Sequence, residues 1–226
     1  MRDEKSKHLQ KLLQEVCSEY TSGIVFSTSL SMEDQVITHH IFSNNLPISV
    51  FTLDTGRLFP ETYKVLENTR NRYKKPIQVF FPNHSKVEEL VNHKGMFSFY
   101  ESPEDRKTCC HIRKVEPLNR ALKGANVWIT GLRAEHSESR SGLSVFEEDT
   151  TRQLVKVNPL LDWTTEDITS EIKQHSIPYN PLHDKGFISI GCQPCTRAVK
   201  AGDDFRSGRW WWEDKSKKEC GLHTTN

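Results

Sequence analysis

Apolar positions recur along this chain with two periods, and the way the two alternate predicts the fold. Leu9, Leu12, Leu13 and Val16 fall at helical spacing within residues 3–19, and the apolar run 23–26 that follows reads as a strand. The alternation continues with a helix over 34–42, a strand over 48–53, a helix over 60–73 and a strand over 77–81. Pro60 suits a first helical turn, where its missing N–H would have no intrahelical partner. Helical stretches over 85–92 and 103–122 precede a strand over 126–130; a fifth strand is expected over 153–157 and a helix over 164–175. Strands separated by such helices predict a doubly wound, mostly parallel α/β sheet, which binds ligands beyond the carboxyl ends of its strands.

The pattern stops near residue 178. From there to residue 226 the chain is rich in Gly, Pro and charge, with one apolar run at 210–212, so something other than its own core has to tie this segment down. The expected organisation is an N-terminal helix over 1–20, an α/β domain over 21–177 and a C-terminal segment over 178–226. A length of 226 residues fits one compact domain with extensions. Lys plus Arg number 31 against 30 Asp plus Glu, so the net charge of +1 argues against coating nucleic acid or an anionic membrane and makes any basic site local. No run approaches the ~18 consecutive apolar residues of a membrane span. The start MRDEKSKHLQ lacks the apolar core of a signal peptide, and a cytoplasmic protein is expected.

That location gives the six cysteines their weight, because in a reducing compartment their spacing reads as metal binding or catalysis rather than as a disulfide framework. The neighbours Cys109 and Cys110, with the pair Cys192 and Cys195, supply four thiolates. Vicinal cysteines on a helix diverge by only about 100°, so both can reach one polynuclear centre. A four-cysteine site holds zinc or an iron–sulfur cluster, and a directly adjacent pair fits better around a bulky cluster. The plain alternative is four small buried hydrophobes, although one pair lies in the polar tail where no core awaits it. Cys220 follows Lys217 and Lys218 and precedes His223, the electropositive setting of a nucleophile, or is an incidental terminal thiol. Arg206 and Arg209 share one face on a helical turn, where they can grip an oxyanion or simply be solvated.

Three strand ends carry a second signal. Ser27, Thr28, Ser29 and Ser31 lie between the first strand and a helix, where amides and hydroxyls hold phosphate oxygens, or where serines merely cap the helix. The second strand ends in Leu53-Asp54-Thr55-Gly56-Arg57, and the strand at 126–130 runs into Gly131-Leu132-Arg133, with Arg140 beyond. Glycine lets a ligand approach the backbone and arginine offers a planar fork for phosphate, so three such ends at one crevice point to a nucleotide site.

In combination, the segment from Leu53 to Thr62, Cys109-Cys110-His111-Ile112-Arg113-Lys114, Gly191-Cys192-x-x-Cys195, the run from Arg206 to Trp212 and Glu219-Cys220-Gly221-Leu222-His223 resemble the assimilatory adenylyl-sulfate reductases over residues 20–223. The resemblance implies an adenine nucleotide alpha-hydrolase-like fold, a four-iron, four-sulfur cluster on Cys109, Cys110, Cys192 and Cys195, and adenosine 5′-phosphosulfate (APS) as substrate. It implies Cys220 as nucleophile, forming an S-sulfocysteine on the way to sulfite and AMP. Lys114, Arg206, Arg209 and His223 would surround the sulfate; Ser27, Thr28, Ser29, Leu53, Asp54, Gly131, Arg133 and Arg140 would bind the adenosine phosphate. Thioredoxin or a similar dithiol is the expected partner, supplied from outside because the chain ends three residues after His223; a homo-oligomer stays open, and neither nucleic acid nor membrane is expected. The alternatives are a reductase of the 3′-phosphorylated substrate (PAPS), or a zinc-stabilised nucleotide-binding or RNA-modifying protein of the same fold. One departure is Ser31, where relatives commonly carry glycine, and it bears on the loop contacts and on discrimination against a 3′-phosphate.

Overall fold

The computed structural model describes residues 2–136, 142–200 and 202–213. It contains the helices α1 (Arg2–Glu19), α2 (Met32–Ser43), α3 (Pro60–Tyr73), α4 (His84–Lys94), α5 (Pro103–Cys110), α6 (Glu116–Ala121) and α7 (Thr165–His175). The strands are β1 (Ile24–Ser27), β2 (Ser49–Leu53), β3 (Gln78–Phe80), β4 (Val127–Ile129), β5 (Phe146–Asp149) and β6 (Leu154–Val157). They form one sheet in the order β3-β2-β1-β4-β6-β5. β1 pairs parallel with both β2 and β4, β4 pairs parallel with β6, and β5 runs antiparallel on the outer edge of β6. The doubly wound, mostly parallel sheet expected from the sequence is therefore present, and its order reverses between β1 and β4. No helix among the described residues is long and apolar enough to cross a membrane.

The chain divides into two compact units. The first comprises Met1–Thr52, Pro60–Gln78 and Gly124–Pro181. β1, β2 and β4 are short runs rich in Val, Ile, Phe and Trp, and β4 is buried along its whole length, as parallel strands covered on both faces require. Leu9, Leu13 and Val16 of α1, Val36, Ile37 and Ile41 of α2, and Val65 of α3 are buried with Phe26, Trp128, Ile129 and Val157. Polar groups lock the helices together. Glu171 of α7 accepts hydrogen bonds from Ser6 of α1 (2.8 Å) and pairs with His40 of α2 (3.0 Å). Gln35 of α2 donates to Thr69 of α3 and to the Pro178 carbonyl, both at 2.7 Å. α7 opens on a capping box in which Thr164 and Asp167 satisfy each other's backbone amides.

The second unit comprises Leu53–Phe59, Val79–Lys123 and Leu182–Asn226. Its core is small: Leu90, Phe99, Cys109, Cys192, Cys195 and Trp210, with Ile112 and Trp212 packed against them. The 103–122 stretch is helical throughout but not uniform. Ser102 caps α5 by accepting from the Asp105 amide (3.0 Å), Pro103 fills its first position, and the chain then widens into a π-helical turn, His111–Val115, before α6. After residue 182 the backbone is held by turns, by a bridge between Thr196 and Arg209, and by Arg197 and Trp210 amides donating to the Gly208 and Cys195 carbonyls.

Candidate functional site

In the first unit, the residues expected to meet a nucleotide flank the point where the strand order reverses. β1 ends at Ser27, whose hydroxyl accepts from the Trp128 indole (2.8 Å). Thr28 is buried; its hydroxyl accepts from the Leu30 amide (3.0 Å) and holds Leu30 at a φ of 62°, a left-handed conformation unusual for leucine. Asp34, in the first turn of α2, accepts from both the amide and the hydroxyl of Ser29 at 2.6 Å. Burial is the main cause that pushes the Asp34 carboxyl up to about 6, against the lowering effect of the Ser29 bonds. Ser31 stands at the N-cap of α2 without a side-chain bond to the helix amides.

Gly131 follows β4 closely, and a Cβ there would overlap Asp34 Oδ1 and lie 3.1 Å from its Cγ, so only glycine fits against the serine loop. Arg133 is buried. It forms ion pairs with Glu33 (2.9 Å) and Glu135, and donates to the Trp163 carbonyl (3.0 Å) and to Thr165 (3.2 Å). The planar fork read from the sequence as a phosphate ligand is thus already occupied by two carboxylates. Arg140 lies outside the described residues.

The second unit holds the cysteines. Cys109 and Cys110 are the last two residues of α5, so the helical divergence expected of neighbours applies to them. Cys192 and Cys195 bracket a single 3-10 turn, Gln193–Cys195, whose start is fixed by the Gln193 amide donating to the Arg57 carbonyl (2.8 Å). All four cysteines line one small cavity together with Arg57, Phe99, Arg106, Arg113, Lys114 and Pro194. Among the described residues no three His, Cys, Asp or Glu side chains converge closely enough to hold a single metal ion.

The turn after β2 forms one wall of this region. Asp54 Oδ1 accepts from the Gly56 amide (2.7 Å), Thr55 Oγ1 lies 3.2 Å from Cys192 Sγ, and Arg113 donates to the Thr55 carbonyl (2.7 Å). Leu53, half-buried, immediately precedes this turn.

Charge in the cavity is one-sided. Burial raises the Cys192 thiol, but Lys114 foremost, then the Thr55 hydrogen bond, Arg209 and Arg113, outweigh it and hold that thiol below its ordinary value. Cys109 is pushed up mainly by its burial, and Cys195 is pushed up to about 12 by burial and by the neighbouring Cys192. A purely apolar core would not draw four cationic side chains into its wall, and the cationic lining suits a thiolate-rich anionic group. The donor set therefore fits a cysteine-ligated metal centre.

Arg209 is buried, donates to the Cys195 carbonyl (3.3 Å) and presses so close to Gly191 that a Cβ there would overlap its guanidinium. Arg206 and Arg209 both lie over Trp210, at 5.6 and 4.8 Å from the ring centre. Cys220 and His223 lie outside the described residues. The structure also brings in residues for which spacing gave no sign. Arg106, fully buried, stacks on Trp210 at 4.5 Å from the ring centre and forms a bidentate pair with Glu213 (2.7 and 3.0 Å). Arg113 could have been found, since it directly precedes Lys114; Arg106 reads in sequence as one more solvated helix charge.

Residues 23–198 match the phosphoadenosine phosphosulfate reductase domain. The chain is 48% identical over 221 residues to an adenosine 5′-phosphosulfate reductase of Burkholderia cepacia, covering 98% of this chain and 88% of that one. It is 51% identical over 199 residues to the enzyme of the same name in Sinorhizobium fredii, covering 88% of this chain and 79% of that one. Among solved structures, a phosphoadenylyl-sulfate (PAPS) reductase from Candida auris, in a phosphate complex, superposes with a TM-score of 0.71 at 28% identity, covering 84% of this chain and 90% of that chain. An FMN adenylyltransferase of Candida glabrata shares the fold alone, with a TM-score of 0.59 at 16% identity over 93% of this chain and 72% of that one. With the domain matched from residue 23 to 198 and relatives near half identical along almost its whole length, this chain belongs to the phosphoadenosine phosphosulfate reductase domain family.

Proposed function

We propose that this protein reduces adenosine 5′-phosphosulfate to sulfite and AMP with electrons from a protein dithiol such as thioredoxin, as a step of sulfate assimilation in the cytoplasm. The observation that carries the reading is the single cavity in which Cys109, Cys110, Cys192 and Cys195 meet Lys114, Arg57, Arg106 and Arg113. Its thiols are the donors for one four-iron, four-sulfur cluster, which when bound supplies a fixed anionic centre beside Lys114. Lys114 lies half-buried in the π-helical turn that follows the cysteine pair, so the residues that hold the metal also fix the position of this ammonium.

The chemistry follows from charge. The sulfuryl sulfur of the substrate is screened by anionic oxygens, and Lys114, Arg206 and Arg209, with His223, neutralise them as the nucleophile approaches. Cys220 thiolate attacks that sulfur; an S–S bond forms, the S–O bond to the phosphate breaks, and AMP leaves with the electron pair. A thiolate of the dithiol then attacks Cys220 Sγ and sulfite departs; the second thiol closes the disulfide and frees Cys220, so the dithiol supplies the two electrons that take the sulfur from the sulfate to the sulfite level. The serine loop with Asp34, the turn at Leu53 and Asp54, and Gly131, with Arg140, receive the nucleotide, while Arg133 acts through its ion pair with Glu33.

Replacing Cys220 with serine tests the nucleophile: S-sulfocysteine formation, followed by intact mass, is lost while iron content and cluster absorbance persist. A variant that still accumulates the adduct sinks the assignment. Iron and acid-labile sulfide after anaerobic purification test the cluster, and zinc without either overturns it. A PAPS reductase is the second reading, favoured by the Candida auris structure; sulfite release from the two nucleotides at saturating thioredoxin separates them.

A further inference from the structure

We propose that the exposed aromatic surface of Met96, Phe97 and Tyr100 is where the protein dithiol docks to discharge Cys220, an inference that rests on the reaction proposed above. Phe97 is 63% exposed, Met96 56% and Tyr100 38%, three of the large apolar side chains left to solvent and all within five residues. They are not loose. Phe97 and Tyr100 stack at 6.4 Å with an interplanar angle of 25°, and Tyr100 meets Trp212 edge-on at 4.4 Å and Trp211 at 6.3 Å. Behind them Phe99 lies 4.5 Å from Tyr100 and forms part of the cysteine cavity. Two hydrogen bonds fasten the surface to that cavity: Arg57 donates to the Met96 carbonyl (2.6 Å), and the Tyr100 hydroxyl donates to the Pro194 carbonyl (2.7 Å) inside the Cys192–Cys195 turn.

Two further facts decide what covers this surface. Trp212, packed on Tyr100, is eight residues before Cys220 in the sequence, so the segment that carries the proposed nucleophile sets out from this patch. A partner that delivers its thiol to Cys220 therefore finds this patch at the root of the segment that carries the nucleophile. The size of the patch points the same way. At roughly 150–250 Å² per large apolar side chain, the exposed parts of the three residues amount to about 300 Å², well below the ~800 Å² that each partner contributes to a standard stable interface. That is too little for a permanent dimer of this chain, and it matches a partner that has to leave after every turnover. Large exposed apolar side chains held rigid in one cluster are also what a binding site needs, since little conformational freedom is lost on contact.

The test is the double substitution Met96→Ser and Phe97→Ser, which alters side chains outside the metal and substrate residues. Three measurements are made on wild type and variant: S-sulfocysteine formation from APS in a single turnover, sulfite release by dithiothreitol, and sulfite release by thioredoxin as a function of its concentration. The expected result is unchanged adduct formation and unchanged release by dithiothreitol, with the KM for thioredoxin raised about tenfold. An unchanged KM for thioredoxin, with normal adduct formation, overturns the docking site alone. A change of molecular mass in solution from oligomer to smaller species shows that a second copy covers the patch and also overturns it. Wild-type protein that forms no adduct on Cys220 overturns the proposed reaction, and the docking inference falls with it.

Discussion

Removing Glu213 should loosen the helix that carries Cys109 and Cys110. Arg106 is 0% exposed and the Glu213 side chain 3%; Nε and Nη2 of the arginine reach the two carboxylate oxygens at 2.7 and 3.0 Å. Breaking such a pair from one side costs about 3–5 kcal/mol, because the charge left behind stays buried without its counterpart. In Glu213→Ala the Trp210 ring, 4.5 Å from the guanidinium carbon, still faces Arg106 and places the expected loss near the lower end, about 3 kcal/mol. At ~1.4 kcal/mol per decade, that corresponds to roughly 10²-fold faster amide hydrogen exchange in α5. Exchange of the 105–110 amides, read by mass spectrometry on the metal-loaded protein, measures it directly. Arg106→Met combined with Glu213→Met removes both charges and should bring exchange back to within about tenfold of wild type, since apolar replacement of a whole buried pair is close to neutral. The reasoning fails if Glu213→Ala speeds α5 exchange less than threefold, or if the double variant exchanges as fast as either single one.

Other outcomes follow from the same geometry. Gly131→Ala forces Asp34 away from Ser29 and strains two hydrogen bonds to a buried carboxylate, so it should cost about 2–3 kcal/mol in urea unfolding and weaken AMP binding by calorimetry at least tenfold. Gly191→Ala drives the Arg209 guanidinium off the Cys195 carbonyl and should lower the iron retained per chain on purification, while Gly142→Ala, with open space around its Cβ, should not. The His39 imidazole is held down to about 4, first by burial and then by His40 and His175, against an ordinary 6.5. Its folded-state value is the depressed one, so the unfolded chain binds more protons between pH 4 and 6.5 and stability is lost as pH falls through that window. Partial exposure limits the effect to about 1–2 kcal/mol. Asp34, raised to about 6, has the opposite sign and loses stability as pH rises through that value, so the check is the difference in thermal midpoint between wild type and His39→Gln at pH 7 and at pH 5.

How much of this could be read from the chain depends on whether the cause is local. α3 runs from Pro60 to Tyr73 as the spacing predicts, because its apolar stripe and first-turn proline are contained in the segment itself. β5 was not foreseen. Phe146-Glu147-Glu148-Asp149 looks like a polar loop, and becomes a strand through antiparallel pairing with β6, supported by Lys156 at 3.1 Å from Glu147 and Arg152 at 2.7 Å from Asp149. The stretch 103–122 carries a continuous helical period, and nothing in it marks the π-helical turn at His111–Val115 that sets Arg113 and Lys114 toward the cysteine cavity. Arg133 carried the sequence signature of a phosphate ligand, and it stands between Glu33 and Glu135, a hundred residues and two residues away.

The sequence by itself determined the layered α/β fold, the serine loop after the first strand and the inventory of thiols, because periodicity, turn residues and side-chain chemistry are properties of short segments. Tertiary structure decided which charges are spent on one another. Arg106 on Glu213 and Arg133 on Glu33 look in the chain like any other cations, yet buried they must be paired where they stand, and that requirement arises only once distant segments have removed the water around them. It also decided that Lys114, Arg113 and Arg57 line the cysteine cavity, whose walls come from three separate stretches of chain.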